Sequence, residues 1–199
     1  MAEVTSAMIK ELRDKTQAGM VDCKKALVDT DGDMEKAVEN LRKKGLASAD
    51  KKMGAEVTEG IISSYIHNNS KLGVILELKC MTDFVARNDD FVVLAKELAM
   101  QVAAANPLYI KPEDVPSEIL EKEKEIYREQ MKNSGKPDNV IEKIVEGKLS
   151  KFYSDVCLLE QEYIKDSSIK IKDLIKEKIA IFKENIEVGR FSRFQIGTK

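Results

Sequence analysis

The tetrapeptide Thr82-Asp83-Phe84-Val85 places a hydroxyl, a carboxylate and an aromatic ring between a predicted buried strand and a predicted helix. Such strand-to-helix corners are places where a rigid scaffold presents functional side chains. A purely structural interpretation explains the same residues, because Thr82 or Asp83 could cap the helix and Phe84 could pack as a staple against a later apolar residue. Spacing alone favours the structural interpretation without excluding the functional one.

The single histidine and the three cysteines offer few routes to catalysis. His67 stands beside Asn68-Asn69 in a predicted hairpin turn, which is typical of a solvated histidine rather than a catalytic base or a metal ligand. The cysteines are odd in number, widely spaced and without a CxxC pair, so we expect no disulfide framework, no zinc site and a reducing cytoplasm. A thiol enzyme would use Cys23 or Cys80, but their apolar surroundings predict burial instead.

Motifs that bind nucleotides or metals are missing from the sequence. Neither GxxxxGK[ST] nor GxGxxG occurs, so we expect no nucleotide held by the chain itself. The run from Asp29 to Asp33 resembles a calcium loop, but Gly32 comes too early and no glutamate stands at the closing position. It predicts a turn followed by a helix cap at Asp33. We therefore expect no cofactor and no metal.

Composition argues against three further classes: nucleic-acid binders, disordered proteins and membrane-spanning proteins. The chain has 199 residues, and 33 Lys and Arg stand against 35 Asp and Glu for a net charge of -2. This balance argues against a general nucleic-acid binder, which would carry a basic excess. An apolar fraction of 43% is enough for a folded core. No apolar run approaches the length of about 18 residues that a membrane span needs, so we expect neither a span nor a signal peptide.

Residues 1–50 predict a compact unit of three short helices, because apolar residues recur there at helical spacing. Ala18-Gly19 and an Asp/Gly turn separate the helices, and Gly45 is predicted to end the third. Residues 51–57 form a polar linker, the last part of a bridge that begins at residue 47. A unit this small buries little apolar surface, so we expect it to be stabilised by packing against a neighbouring unit.

Residues 58–199 predict an α+β core in which helices pack against antiparallel strands. Turn residues from His67 to Lys71 separate two β-rich runs, which is typical of a β-hairpin. The rest of the pattern predicts, in order, a helix at 91–102, a short edge strand at 107–110, a helical hairpin at about 117–154, a loop at 158–168, a helix at 171–182 and a strand at 186–196 with a bulge at Gly189.

Six stretches closely resemble, in the same order, the signatures of the bacterial translation elongation factor Ts family. They run from Leu12 to Leu27, Gly32 to Ala37, Leu41 to Gly45, Thr82 to Asn88, Leu158 to Gln161 and Arg190 to Phe194. Any one piece is weakly specific, but together they span nearly the whole chain. Gln17 departs from the family's usual glycine, so the turn after the first helix is expected to be tighter or shifted. The chain resembles the family's short form, which lacks a duplicated second half of the core.

The resemblance implies guanine-nucleotide exchange on elongation factor Tu, performed by a cytoplasmic protein that is not itself an enzyme. The first fifty residues would be a ubiquitin-associated-like module that docks on the partner's GTPase domain. The family's contact positions fall on Arg13, Met20, Val21 and Lys24.

The second family signature carries the exchange step in this scheme. Asp83 and Phe84, within the segment Thr82, Asp83, Phe84 and Val85, would enter the partner near its Mg²⁺ and phosphate site. Similarity to the short form also implies a homodimer, with no direct contact to nucleic acid or membrane. A ubiquitin-associated-type adaptor that only binds other proteins fits residues 1–50 equally well, but it leaves Thr82 to Val85 unexplained.

Overall fold

The computed structural model describes residues 4–132 and 137–197 and confirms the α+β class. Within these residues the helices and strands are α1 (Ser6–Thr16), α2 (Met20–Asp29), α3 (Met34–Asp50), β1 (Glu59–Ile66), β2 (Leu72–Cys80), α4 (Asp83–Ala86), α5 (Asp89–Ala105), α6 (Ser117–Met131), α7 (Asp138–Val156), β3 (Glu162–Tyr163), β4 (Asp166–Lys170), α8 (Ile171–Phe182) and β5 (Ile186–Gln195).

The first three helices form a bundle around a small apolar cluster of their own. Thr5 begins α1 by accepting a hydrogen bond from the N–H of Met8, and Asp33 begins α3 by accepting one from Lys36. Gln17 ends α1 in the left-handed conformation, with φ at 55°. The cluster contains Ile9, Leu12, Cys23, Ala26, Leu27, Ala37 and Leu41. This bundle, residues 6–50, is called the helical module below.

The third helix is longer than the sequence predicts, because it continues through Gly45 to Asp50. The predicted end at Gly45 is wrong, and the first residues of the predicted polar bridge are helical. Gly45 serves packing instead: a Cβ placed on it would lie 3.2 Å from the Cβ of Ala180 in α8. Ala49 is buried in the main core. The end of α3 therefore joins the helical module directly to the core.

A three-stranded antiparallel sheet of order β1-β2-β5 forms the centre of the core. Alternate residues of β2 are buried against α5, in a core cluster that also includes residues of α8, namely Val74, Leu76, Leu78 and Cys80. The predicted bulge at Gly189 is confirmed, since Glu77 pairs with Arg190 and Leu78 with Val188, which leaves Gly189 unpaired. The predicted β-hairpin is confirmed as well.

The segment predicted as an edge strand at 107–110 does not join the sheet. Tyr109 makes one isolated parallel bridge to Cys157, and the N–H groups of Leu108 and Tyr109 both donate to the carbonyl of Val156. Pro107 and Pro112 bracket this segment, and proline cannot donate to a strand ladder. The segment therefore follows the end of α7 rather than a sheet edge.

The predicted loop at 158–168 is partly regular. A 3₁₀ turn at Leu158–Glu160 leads into the antiparallel pair β3 and β4. Gln101, fully buried in α5, holds this pair from below: its amide N–H donates to the carbonyl of Glu162 at 3.1 Å, and its Oε1 accepts from the N–H of Ile164 at 2.9 Å. The two strands are close in sequence, but the supporting Gln101 stands 61 residues before Glu162, so the local pattern does not reveal this contact.

The predicted helical hairpin is confirmed in α6 and α7. Arg128 of α6 donates two hydrogen bonds to the carboxylate of Glu142 of α7, at 2.8 and 3.1 Å. Lys148 lies 5.2 Å from the centre of the Tyr127 ring. Residues 133–136, which include most of the predicted turn, lie outside the described residues.

Candidate functional site

The corner between β2 and α4 presents Phe84 to solvent on a firmly held base. Thr82 caps α4, since its Oγ1 accepts from the N–H of Val85 at 3.5 Å, and its carbonyl accepts from the Cys80 thiol at 3.2 Å. Within α4, Val85 and Ala86 are buried, whereas 84% of Phe84 is exposed. The structural interpretation is thus right for the Thr82 cap and wrong for the Phe84 staple.

Glu184, which is distant in sequence, holds this corner through two hydrogen bonds. Its carboxylate accepts from the Thr82 N–H at 3.0 Å and from the Thr82 hydroxyl at 2.6 Å. Hydrogen bonds to an ionised acceptor are roughly twice as strong as neutral ones. Sequence reasoning missed Glu184, because it stands 102 residues away and no motif marks it.

The charged residue of the corner is held only loosely. Asp83 pairs with Arg87 at 3.1 Å, and because the Arg87 side chain is largely exposed and that of Asp83 about half exposed, the pair adds little stability. Among the four residues of the predicted insertion segment, Phe84 faces solvent and Asp83 is half-exposed, while Thr82 and Val85 hold the corner in place. The corner therefore offers one carboxylate and one apolar ring to an incoming surface.

The thiols near the corner and elsewhere are poor nucleophiles. Burial raises the pKa of Cys80 to about 11, and the neighbouring Glu184 carboxylate adds to that effect. Burial likewise raises the pKa of Cys157 to about 11. Since the thiolate is the reactive form, both stay protonated and unreactive at neutral pH. Cys23 is fully buried in the helical module. This arrangement disfavours the thiol-enzyme hypothesis.

The structure provides no other obvious chemistry at the remaining predicted reactive positions. His67 is exposed in the β1–β2 turn, with its Nδ1 3.0 Å from the Tyr65 hydroxyl. Across residues 4–132 and 137–197, no three His, Cys, Asp or Glu side chains cluster closely enough to hold a metal ion. In the same part of the chain, every helix is too short or too polar to cross a bilayer.

A second exposed set lies on the helical module. Arg13 is in the last turn of α1, and the first two turns of α2 carry Met20, Val21 and Lys24. All four are exposed, and Val21 is 82% exposed and Met20 45%. Val28 follows on α2 seven residues after Val21 and is also exposed, which extends the apolar stripe beyond the predicted residues. We call Arg13, Met20, Val21 and Lys24 the docking surface.

The two exposed sets lie on different units, and the end of α8 connects those units. A groove of about 410 Å³ runs along the contact between the helical module and α8, and Lys183 lines it. Asp22 also lines this groove, and its pKa is lowered mainly by the hydrogen bond from Lys44, with a smaller contribution from the charge of Lys183. The next residue, Glu184, holds the corner.

Comparison with known proteins identifies the family. The family model described as Elongation factor TS matches residues 2–198. Elongation factor Ts of Thermodesulfovibrio yellowstonii is 61% identical over 194 residues, which cover 98% of this chain and 96% of that protein. Elongation factor Ts of Fervidobacterium nodosum is 58% identical over 195 residues, covering 98% and 99%. The chain therefore belongs to the elongation factor Ts family, and it is a translation elongation factor of protein biosynthesis.

Proposed function

We propose that this protein is the guanine-nucleotide exchange factor for elongation factor Tu and acts on GDP release without being an enzyme. The observation that carries the proposal is the exposed ring of Phe84, 84% accessible on a corner that hydrogen bonds and burial hold in place. A large apolar side chain kept rigid in solvent has no role in its own core. It suits insertion into another protein.

The chemistry of the partner explains what such a ring would do. A GTPase holds GDP through backbone amides around the phosphates and through a Mg²⁺ ion. Phe84, with Asp83 beside it, would contact the partner only where the element that orders Mg²⁺ has moved. A contact available in one state alone shifts the population toward that state. By linkage, the exchange factor weakens GDP binding, and GDP weakens binding of the exchange factor equally.

Magnitudes show that the corner cannot act alone. A 10⁴-fold acceleration of GDP release needs roughly 5.5 kcal/mol of relative stabilisation. Burying one phenylalanine supplies about 1.5–3 kcal/mol. The remainder must come from other contacts. We assign part of it to the docking surface, where Met20 and Val21 offer apolar area and Arg13 and Lys24 offer positive charge toward the partner's GTPase domain.

Release of fluorescent GDP tests the function directly. Elongation factor Tu loaded with a fluorescent GDP analogue is mixed in a stopped-flow instrument with excess unlabelled GDP and increasing amounts of this protein. We expect a release rate that rises and saturates with protein concentration. A ubiquitin-associated-type adaptor would bind elongation factor Tu, or other proteins, without changing that rate, and this result would refute the proposed function.

We further propose that the functional form is a homodimer that covers the outer face of the sheet. Three strands contribute exposed apolar residues there: Ile62, Ile66, Ile75 and Phe194. The register places Gly73 between Ile66 and Phe194, and Ile75 lies two residues further along β2, on the same face of the sheet. A two-fold axis would pack this face on its own copy, which is the commonest arrangement in homo-oligomers.

Light scattering after size exclusion tests the dimer. Ile75→Asp places a charge at the centre of the patch, so we expect the mass to fall from that of a dimer to that of the 22.4 kDa chain. Val93→Asp is the matched control, because Val93 is similarly exposed but lies on α5. An unchanged mass in the Ile75 variant would contradict the dimer. We place the protein in the cytoplasm with its partner, without contact to nucleic acid or membrane.

A further inference from the structure

The turn between α8 and β5 ties three parts of the molecule together through consecutive residues. Lys183 adopts the left-handed conformation and lines the groove beside the helical module. Glu184 binds the Thr82 backbone and hydroxyl. Asn185, 1% exposed, donates to the carbonyl of Ala55 in the segment that follows α3, at 2.7 Å. The turn therefore contacts the linker and the corner directly and borders the module.

The corner depends on such outside contacts because its own helix is very short. The helix α4 contains four residues, and an isolated turn of helix is unstable in water. Thr82 donates its hydroxyl proton to Glu184 and accepts from the Val85 N–H with the same oxygen. Bonds linked in this way polarise one another. The carboxylate of Glu184 therefore sets the direction in which α4 begins.

The other end of this connection reaches α3 of the helical module, which carries the docking surface on its other two helices. The helix α8 packs closely on α3 at Gly45 and Ala180, and Arg42 pairs with Glu177 at 2.8 Å across the same seam. A continuous set of contacts thus runs from the helical module through α8 and Glu184 to Thr82. Packed elements and hydrogen bonds of this kind carry positional information between sites.

We propose that Glu184 is a positioning residue for nucleotide exchange, which holds Phe84 at a fixed place relative to the docked helical module. This inference rests on the proposed function. Glu184 stays beneath the corner while Phe84 meets the partner. Without Glu184 the corner becomes mobile, so the Phe84 ring no longer enters the partner at the right place. The complex still forms, because the docking surface is unchanged. Small misplacements of this kind reduce rates by up to about a hundredfold.

Two readouts test the role of Glu184 in the full-length protein. The first is fluorine NMR after incorporation of 4-fluorophenylalanine, which gives one signal for each of the six phenylalanines. Loss of one signal in Phe84→Leu assigns Phe84. The second is GDP release from elongation factor Tu at increasing protein concentration, which separates the saturating rate from the half-saturating concentration.

Two substitutions of Glu184 differ in how many side-chain oxygens remain to accept hydrogen bonds from Thr82. Glu184→Ala removes both bonds, so we expect the Phe84 signal to move and the saturating rate to fall about tenfold, with the half-saturating concentration within about twofold of the original value. Glu184→Gln keeps one acceptor oxygen in the same shape and should lie in between. Glu187→Gln is the control for loss of a carboxylate near this turn, since Glu187 accepts from Asn185 and the glutamine oxygen keeps an acceptor for that bond.

Each outcome decides the proposal. An unmoved Phe84 signal in Glu184→Ala would overturn positioning, and a moved signal with an unchanged saturating rate would overturn the link to exchange. A rise in half-saturating concentration alone would assign Glu184 to docking instead and overturn the proposal. Wild-type protein that fails to accelerate release would refute the proposed function and the exchange role together. The fluorine signal would then still show whether Glu184 orients Phe84.

Discussion

The docking surface and the Phe84 corner present exposed apolar side chains by opposite means. Val21 projects from a ten-residue helix within a bundle that has its own apolar cluster. Phe84 projects from a four-residue helix whose direction depends on Glu184, 102 residues away. The first surface is made by local periodicity, and the second by a long-range contact. Local periodicity is sufficient to display an exposed apolar stripe, whereas the exposed ring is held by a contact with a distant part of the chain.

This difference suggests a division of labour. In the proposed function, the docking surface would make the same contacts whether or not GDP is bound, so it should contribute mainly to affinity. In the same proposal, the corner would make its contacts only in the state that has lost Mg²⁺ and GDP, so it should contribute mainly to rate. Variants of the two regions should therefore change different kinetic parameters.

The largest expected effect comes from breaking the seam that joins the two regions. Gly45→Leu forces a side chain against Ala180, and we expect unfolding free energy to fall by about 1–3 kcal/mol because the packed helices must separate. Gly147→Leu is the matched control, since nothing lies within 4 Å of a Cβ at that helical position. Urea unfolding followed by circular dichroism measures both variants. Equal losses in the two would show that the seam is not tightly packed.

A charge on the docking surface should weaken binding and leave the rate intact. Val21→Asp removes apolar contact area at the start of α2 and places a carboxylate there, so we expect the half-saturating concentration to rise about tenfold, equivalent to about 1.4 kcal/mol. The saturating rate of GDP release should not change. Val140→Asp, exposed on α7, controls for added charge. A reduced saturating rate with unchanged half-saturation would contradict the division of labour.

The smallest expected effect concerns the turn of the helical module alone. Gln17 holds a left-handed conformation that disfavours residues with a Cβ, so Gln17→Gly should raise the unfolding free energy by up to about 1 kcal/mol. Gln17→Ala keeps the strain and loses the side-chain hydrogen bond to the Asp14 carbonyl, so it should give no gain. Thermal unfolding distinguishes the two. A larger gain for alanine would show that left-handed strain is not what this position experiences.

Sequence patterns predict the parts of this fold that local forces determine. The three-helix arrangement, the β1–β2 hairpin, the helical hairpin and the bulge at Gly189 follow from periodicity and turn residues. The predictions fail where tertiary contacts override the local signal. Gly45 is typical of a helix end, yet Ala180 makes it a packing position. Gln101 of α5 supports the β3–β4 pair through hydrogen bonds to Glu162 and Ile164, which are distant in sequence.

The candidate site shows the same limit. A strand-to-helix corner with a capping threonine is visible in the sequence, and the structure confirms the cap at Thr82. Whether Phe84 turns inward or outward depends on the burial of Val85 and Ala86, which fills the space beneath α4. No sequence pattern around Glu184 predicts its hydrogen bond to Thr82, because the two residues are 102 positions apart. Sequence therefore predicts where the corner is, and the fold determines what it displays.

The saturating rate of GDP release with Phe84→Ala tests the central claim most directly. Leu108→Ala is the matched control, because Leu108 is also a large exposed apolar residue, at 64%, but lies outside the corner. If Phe84 displaces the elements that hold Mg²⁺ and GDP, the saturating rate falls about ten- to hundredfold while elongation factor Tu still binds through the helical module. A Phe84→Ala protein that releases GDP as fast as the wild type and the Leu108 control would contradict the account.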